Sequence, residues 1–310
     1  MRFALIAAVM TGALSLPAAA QETRTFTDDA GRTVEVPADP QRVASLGGKL
    51  ITNLLIELGV TPVGTQADLQ DGVVTLQNGP TLTGTFMADG EMAFLGQFPI
   101  DVEAVAAVKP DLIILPNWQE GNTIEQFETI APTVYVDIDA RVGQDLAAFL
   151  ADLTGTEERR AVLDRRYEAQ IAMLRGQVDT ESITVSTFRP IGGTIRILHP
   201  LMVTGQVLED AGFSFPEFYE TFERGVDDIS LSAEFLQQLD ADFIVMPFAT
   251  TPQAVYDEME DLFPGWCDVM SACRDGNIIY LPAFEATSSS YDFATALIFV
   301  MLVETVRAGN

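Results

Sequence analysis

Two stretches of this 310-residue sequence, 131 positions apart, carry the same pattern. Asp101–Leu115 reads DVEAVAAVKPDLIIL, and Ser232–Met246 reads SAEFLQQLDADFIVM. Glu103 matches Glu234, the apolar pairs Val105/Leu236 and Val108/Leu239 fall in step, and Asp111 and Asp242 each precede four apolar residues. Each copy predicts a short helix opened by a glutamate, a turn at the aspartate, and a strand. The runs Leu112–Leu115 and Phe243–Met246 do not alternate, as expected of a parallel strand covered on both faces. Two such units at this spacing imply an α/β fold of two similar three-layer lobes. A chain built that way works in the cleft between the lobes.

The N-terminal twenty residues, MRFALIAAVMTGALSLPAAA, have the form of a secretory signal. Arg2 supplies the positive start, Phe3–Leu16 the apolar stretch, and Ala18-Ala19-Ala20 the small-residue cleavage site before Gln21. A membrane anchor is disfavoured, because Thr11, Gly12 and Ser15 interrupt a run already short of the roughly 20 residues that span a bilayer. No cysteine follows the apolar stretch, so the expectation is a soluble periplasmic protein that is not lipid-anchored. Cleavage would leave 16 basic against 45 acidic residues, a net charge of −29. That balance excludes nucleic acid and anionic membrane surfaces as partners, since phosphate contacts need a basic face. Lys49 and Lys109 are the only lysines, so any cation inside a cleft would stand out. Cys267 and Cys273 are the only cysteines, and in an oxidising compartment they are expected to form a disulfide. With one histidine and no further thiol, a protein-built metal site is not expected.

Along the chain, Thr25–Val43 opens with a hairpin signal around Asp29-Ala30-Gly31. A strand at Val43–Leu46, a Gly47-Gly48 turn and a helix near Leu50–Leu58 follow. Gln66–Glu91 reads as a long loop, of the kind that is functional or mobile. A proline-free helical pattern from Asp145 to about Val178, broken at Gly155, reads as a rigid connector. This gives a first lobe over 21–144, a connector over 145–178 and a second lobe over 179–310. In the second lobe Ile183–Phe188 and Thr194–Leu198 are expected strands joined by a loop at Arg189–Gly193. A helix over Phe293–Val306 closes the chain.

In ordered sum these segments resemble the substrate-binding proteins of ABC importers for iron-siderophores, haem and cobalamin. The matching pieces begin with Gly31-Arg32, Val36-Pro37, Pro40-Gln41-Arg42-Val43 and Leu58–Gly64. They continue with Val102-Glu103, Lys109–Ile113 and Ile130–Val134, and in the second half with Ile195-Arg196-Ile197, Gly205–Leu208, Ala211-Gly212 and Ile229-Ser230 through Asp242. The resemblance implies two lobes joined by a long helix, small closure on ligand, no intrinsic cofactor and no enzymatic activity. It also implies a monomer that delivers its cargo to an inner-membrane permease with its ATPase. In such proteins one surface glutamate per lobe receives permease arginines, and Glu103 and Glu234 match those positions. Two carboxylates at equivalent points of rigid lobes would set docking register more than affinity.

Ligands of open α/β sheets contact the loops beyond the carboxyl ends of the strands. Here those loops offer Lys49, Trp118, Arg189 and Tyr291. Trp118 provides apolar area, and Arg189 a planar fork for the oxygens of a ferric chelate. Arg196 matches an arginine common in siderophore-type members. His199, the lone histidine, is a further candidate, although Arg224–Ser232 (RGVDDISLS) lacks the histidine with which some relatives ligate iron directly. The expected ligand is therefore a ferric siderophore that already saturates its metal, of hydroxamate or citrate type. Haem or cobalamin is the alternative cargo. An exported enzyme would need a Gly-x-Ser-x-Gly elbow, a phosphate loop or a histidine-rich zinc motif, and none is present. A non-transport sensor using the same fold would not need Glu103 and Glu234.

Overall fold

The computed structural model describes residues 21–70, 73–76, 92–97, 99–119, 123–141, 143–197, 203–221 and 229–309. The leader at 1–20, His199, and most of the loop at 66–91 lie outside the described residues. The chain opens with the antiparallel hairpin β1 (Thr23–Thr27) and β2 (Thr33–Pro37). Its turn is held by the Asp28 carboxylate, which accepts the backbone N–H groups of Ala30 and Arg32.

The first lobe then alternates strand and helix: β3 (Val43–Ser45), α1 (Gly48–Glu57), β4 (Gly64–Thr65), the small hairpin β5 (Asp68–Gln70) and β6 (Val73–Thr75), β7 (Ala93–Phe94), α2 (Val102–Ala107), β8 (Leu112–Pro116), α3 (Ile124–Glu128) and β9 (Thr133–Val136). The sheet order is β7-β4-β3-β8-β9, and every pairing is parallel. The connector consists of α4 (Gly143–Thr154) and α5 (Glu157–Gln177). Gly155 between them adopts φ +68°, a left-handed conformation that costs a side-chain-bearing residue more than glycine.

The second lobe contains β10 (Val185–Ile191), β11 (Thr194–Ile197), α6 (Val203–Asp210), β12 (Ile229–Leu231), a 3₁₀ helix over Ala233–Leu239, β13 (Phe243–Phe248), α7 (Pro252–Leu262), α8 (Trp266–Val269), α9 (Ser271–Arg274), β14 (Ile278–Pro282), α10 (Ala283–Ala286) and α11 (Tyr291–Ala308). Its sheet, β12-β11-β10-β13-β14, is mixed: β10, β13 and β14 run parallel, whereas β11 and β12 add antiparallel pairings. Cys267 and Cys273 are disulfide-bonded, with Cα atoms 5.0 Å apart. No described helix is long and apolar enough to cross a membrane.

The repeated strands are covered on both faces, and in the same sense. Leu112 and Ile114 of β8, like Phe243 and Val245 of β13, enter one large core. That core also takes in Leu146 and Leu150 of α4, Leu163 and Leu174 of α5, and Leu297 and Met301 of α11. The alternate residues, Ile113 and Leu115 or Ile244 and Met246, face separate cores belonging to one lobe each. The shared core thus runs unbroken through the connector from one sheet to the other, which makes the lobes mechanically one body.

Two sequence expectations shift. The Arg189–Gly193 segment is mostly strand, because β10 continues to Ile191 and only Gly192-Gly193 turn. Both glycines have positive φ (+59° and +82°), the requirement of a tight two-residue hairpin. The second copy of the repeat opens with a 3₁₀ helix where the first has an α-helix. In the first, Asp101 caps the helix by accepting the N–H groups of Glu103 and Ala104 at 2.9 and 3.2 Å. In the second, the Ser232 hydroxyl instead donates to the Glu234 carboxylate at 3.0 Å and caps nothing.

Candidate functional site

The aspartates of the repeat set the strands that carry the site. Asp111 accepts the backbone N–H groups of Gln41 and Arg42 at 2.8 and 2.9 Å, immediately before β3. Asp242 accepts the backbone N–H and hydroxyl of Thr184 at 2.8 and 2.7 Å, immediately before β10. Both clamps fix the register of a parallel pair, Val43 opposite Leu112 and Val185 opposite Phe243. The carboxyl ends of β3 and β10 are thereby aimed, and each delivers a cation.

At the end of β3 a Gly47-Gly48 turn starts α1 and places Lys49 in its first turn. Only 8% of Lys49 is exposed. Its ammonium donates to the Phe284 carbonyl at 2.8 Å and the Thr287 hydroxyl at 3.1 Å, and lies 4.4 Å from the centroid of the Phe284 ring. A lysine of the first lobe is therefore bonded to a segment of the second. Burial above all, with Arg189, brings its pKa down to about 7, against the opposite pull of Asp68 and Glu285.

Arg189 lies on β10 directly opposite Arg196 on β11. Like charges facing across an antiparallel pair repel, and both burial and Arg196 hold the Arg189 guanidinium below its usual range. Arg189 makes no hydrogen bond or ion pair with another described residue. By contrast Arg32, Arg141 and Arg166 all pair with carboxylates. In a chain of net charge −28, three cations drawn together where the lobes meet form an electropositive focus. Such a focus can hold the anionic or carbonyl oxygens of a ligand through charged hydrogen bonds.

Tyr291, expected at the ligand, is engaged within the fold. It is buried, and its hydroxyl donates to Asp164 of α5 at 2.5 Å. Burial and that carboxylate push its pKa up. The N-terminus of α11 sits against the C-terminal end of α1, so the tyrosine is spent on packing at the connector. There the Glu57 carboxylate accepts from the Ser290 hydroxyl at 2.6 Å and from the backbone N–H groups of Tyr291 and Asp292 at 2.9 and 3.1 Å. Burial raises its pKa, against the hydrogen bonds that favour the charged form. α1 is thus held to residues 284–292 at both ends, by Lys49 and by Glu57.

Trp118 follows β8 on the rim of the first sheet, partly buried, and its indole N–H has no partner among the described residues. Beside it the buried Gln119 donates to the Leu46 carbonyl at 2.6 Å and to Gln66 at 3.1 Å, tying the ends of three strands. Glu103 and Glu234 are both exposed in the opening turns of the two repeat helices. Glu57, Gln119, Phe284 and Thr287 carry no motif. Only Glu57 gave a signal, as the acidic residue ending a helix that terminal dipoles disfavour there.

The chain matches the model of the family described as periplasmic binding protein over residues 94–284. It is 27% identical over 232 residues to the probable siderophore-binding lipoprotein YfiY of Bacillus subtilis, covering 72% of this chain and 68% of that one. It is 25% identical over 218 residues to the ferric enterobactin-binding periplasmic protein FepB of Escherichia coli, covering 68% and 67%. Among solved structures, Staphylococcus aureus SirA complexed with staphyloferrin B superposes with a TM-score of 0.74 at 20% identity, covering 91% of this chain and 98% of that one. The fold agrees with that match, and the family model spans more than half of the chain: this chain belongs to the periplasmic binding protein family.

Proposed function

We propose that the protein captures a ferric siderophore where its two lobes meet and delivers it to a membrane ABC importer. The observation that carries this reading is the convergence of Lys49, Arg189 and Arg196 in a chain otherwise dominated by acid. Guanidinium forks and an ammonium suit the hydroxamate, carboxylate or citrate oxygens around a chelated iron. The relatives named above support the class of cargo. In this reading the chelate brings its iron fully coordinated, and N–H donors of the protein bind the chelator's oxygens. Trp118 offers its ring from the first lobe. Glu103 and Glu234 are the docking pins for the permease, supported by their exposure on equivalent turns of the duplicated unit.

The finer part of the proposal is export by residues 1–20 as a free monomer. In this sequence both cysteines, Cys267 and Cys273, are bonded to each other, whereas YfiY is named a lipoprotein. Titration of the mature protein with ferric siderophores, haemin and cobalamin, followed by tryptophan quenching, tests the cargo. Saturable quenching by a ferric siderophore, lost in Trp118→Phe and kept in Trp266→Phe, is the expected result. Response to haemin or cobalamin alone would overturn it. For docking, the Glu103→Ala/Glu234→Ala double variant is expected to bind cargo normally and to fail in transport. Intact uptake would remove the docking role.

A further inference from the structure

Next to Arg189 the second lobe carries a pocket of ≈ 230 Å³, walled by Pro190, Ile191, Pro247 and Val255 and bounded by Arg189 and Glu258. It lies between the carboxyl ends of β10 and β13 and the first turns of α7. Sites that enclose a whole drug-sized ligand measure about 300–1,000 Å³, so this space suits an appendage and is too small for a chelate core.

The charges at its boundary are unlike and unjoined. Glu258 acts electrostatically on Arg189, yet neither forms an ion pair with the other or with any other described residue. Between them the side chains of the wall are apolar except for Thr250. A complementary guest therefore has an acceptor oxygen at the Arg189 end, a short alkyl stretch, and a cation at the Glu258 end. A purely anionic arm would meet Glu258 unfavourably, and a neutral apolar arm would leave it without a role.

We propose that this pocket is a subsite for an aminoalkyl arm of the chelate, in which Glu258 selects a terminal ammonium. The inference rests on the ferric siderophore reading above and adds a discrimination within that class. Glu258 sits on the exposed face of α7, so its substitution leaves the fold intact. The effect is bounded by what a solvent-exposed ion pair contributes, at most about fivefold in affinity.

The test compares two ferric hydroxamates that differ only at the arm: ferrioxamine B, which ends in a protonated amine, and its N-acetyl derivative. Wild type is expected to bind ferrioxamine B about three- to fivefold more tightly. Glu258→Gln should bring the ratio to one by weakening ferrioxamine B alone. Asp257→Asn, one residue away and outside the pocket lining, should leave the ratio unchanged. Arg189→Ala should weaken both chelates in parallel. Equal binding of the two chelates by wild type overturns the subsite while leaving the siderophore reading standing. So does a Glu258→Gln ratio equal to that of wild type, or a loss shared equally by Asp257→Asn. Binding of neither chelate, with haemin bound, overturns both readings together.

Discussion

The two lobes share one unit and differ in what they attach to it. In each, an aspartate clamps the segment before a neighbouring parallel strand, and the strand after it is buried on both faces. The first lobe keeps its sheet wholly parallel and presents its cation, Lys49, from the opening turn of a helix. The second replaces one side of the sheet with the antiparallel strands β11 and β12, which set Arg196 directly against Arg189. The duplicated part therefore carries the scaffold and the two proposed docking glutamates, whereas the cations proposed to hold the ligand lie in the parts that diverged. A hairpin can oppose two side chains at close range on one face, whereas a parallel crossover hands each strand end to a separate helix.

This asymmetry can be broken from the second lobe first. Arg189→Ala should reduce affinity for the ferric chelate on the order of 100-fold, as expected for the loss of charged hydrogen bonds worth about 1.5–3 kcal/mol. Equilibrium titration reads it, and a loss below threefold would move the centre of binding to the first lobe. Next in size is the joint between the lobes. Glu57→Ala removes three hydrogen bonds at the start of α11 and should destabilise the protein by about 2 kcal/mol. Because the core is shared, urea should still unfold the chain in one transition; two separate transitions would mean that the lobes are independent.

Lys49→Met should weaken chelate binding about tenfold and, more tellingly, flatten its pH dependence. In the free protein Lys49 titrates near 7, and an anionic guest favours its protonated form. Affinity should therefore be greatest below pH 7 and decline as pH rises through that value and the free protein sheds the proton. Titrations from pH 6 to pH 9 check the sign, and a slope unchanged in the variant would clear Lys49 of the effect. The smallest contrast compares the clamps. Asp111→Ala and Asp242→Ala should each cost about 1 kcal/mol, Asp111 slightly more, since it also accepts from the Gln21 side chain. Thermal unfolding showing the reverse order would refute a tighter clamp in the first lobe.

The scaffold was legible because it was written in local signals. The helix–Asp–strand unit, the break at Gly155 and the non-alternating strands all reflect short-range patterning that the structure obeys. The site was legible only in part. Lys49 and Arg189 are candidates from the rule that function gathers at strand ends, and the structure brings them near each other, but Arg189 reads as loop because Pro190 follows it. Pairing of β10 with β13 ends at Thr187, so the strand is already an edge at Pro190, where a missing N–H is tolerated. Tyr291 shows the opposite case. Its place in a post-strand loop suited a ligand contact, but its direction is set by α5, some 127 residues earlier in sequence. The partners of Glu57 were unreadable for the same reason, as they lie 233 to 235 residues away.

The two-point attachment of α1 bears on how fast the site fills. Lys49 and Glu57 span about 12 Å of helix, and both ends are fastened to residues 284–292 by the protein's own groups. A receptor already assembled has little ordering left to undergo when its guest arrives. Association should accordingly be a single exponential whose rate rises linearly with chelate concentration, with no slow isomerisation phase behind it. Residence time would then be governed by how readily an external partner pries that bracket apart.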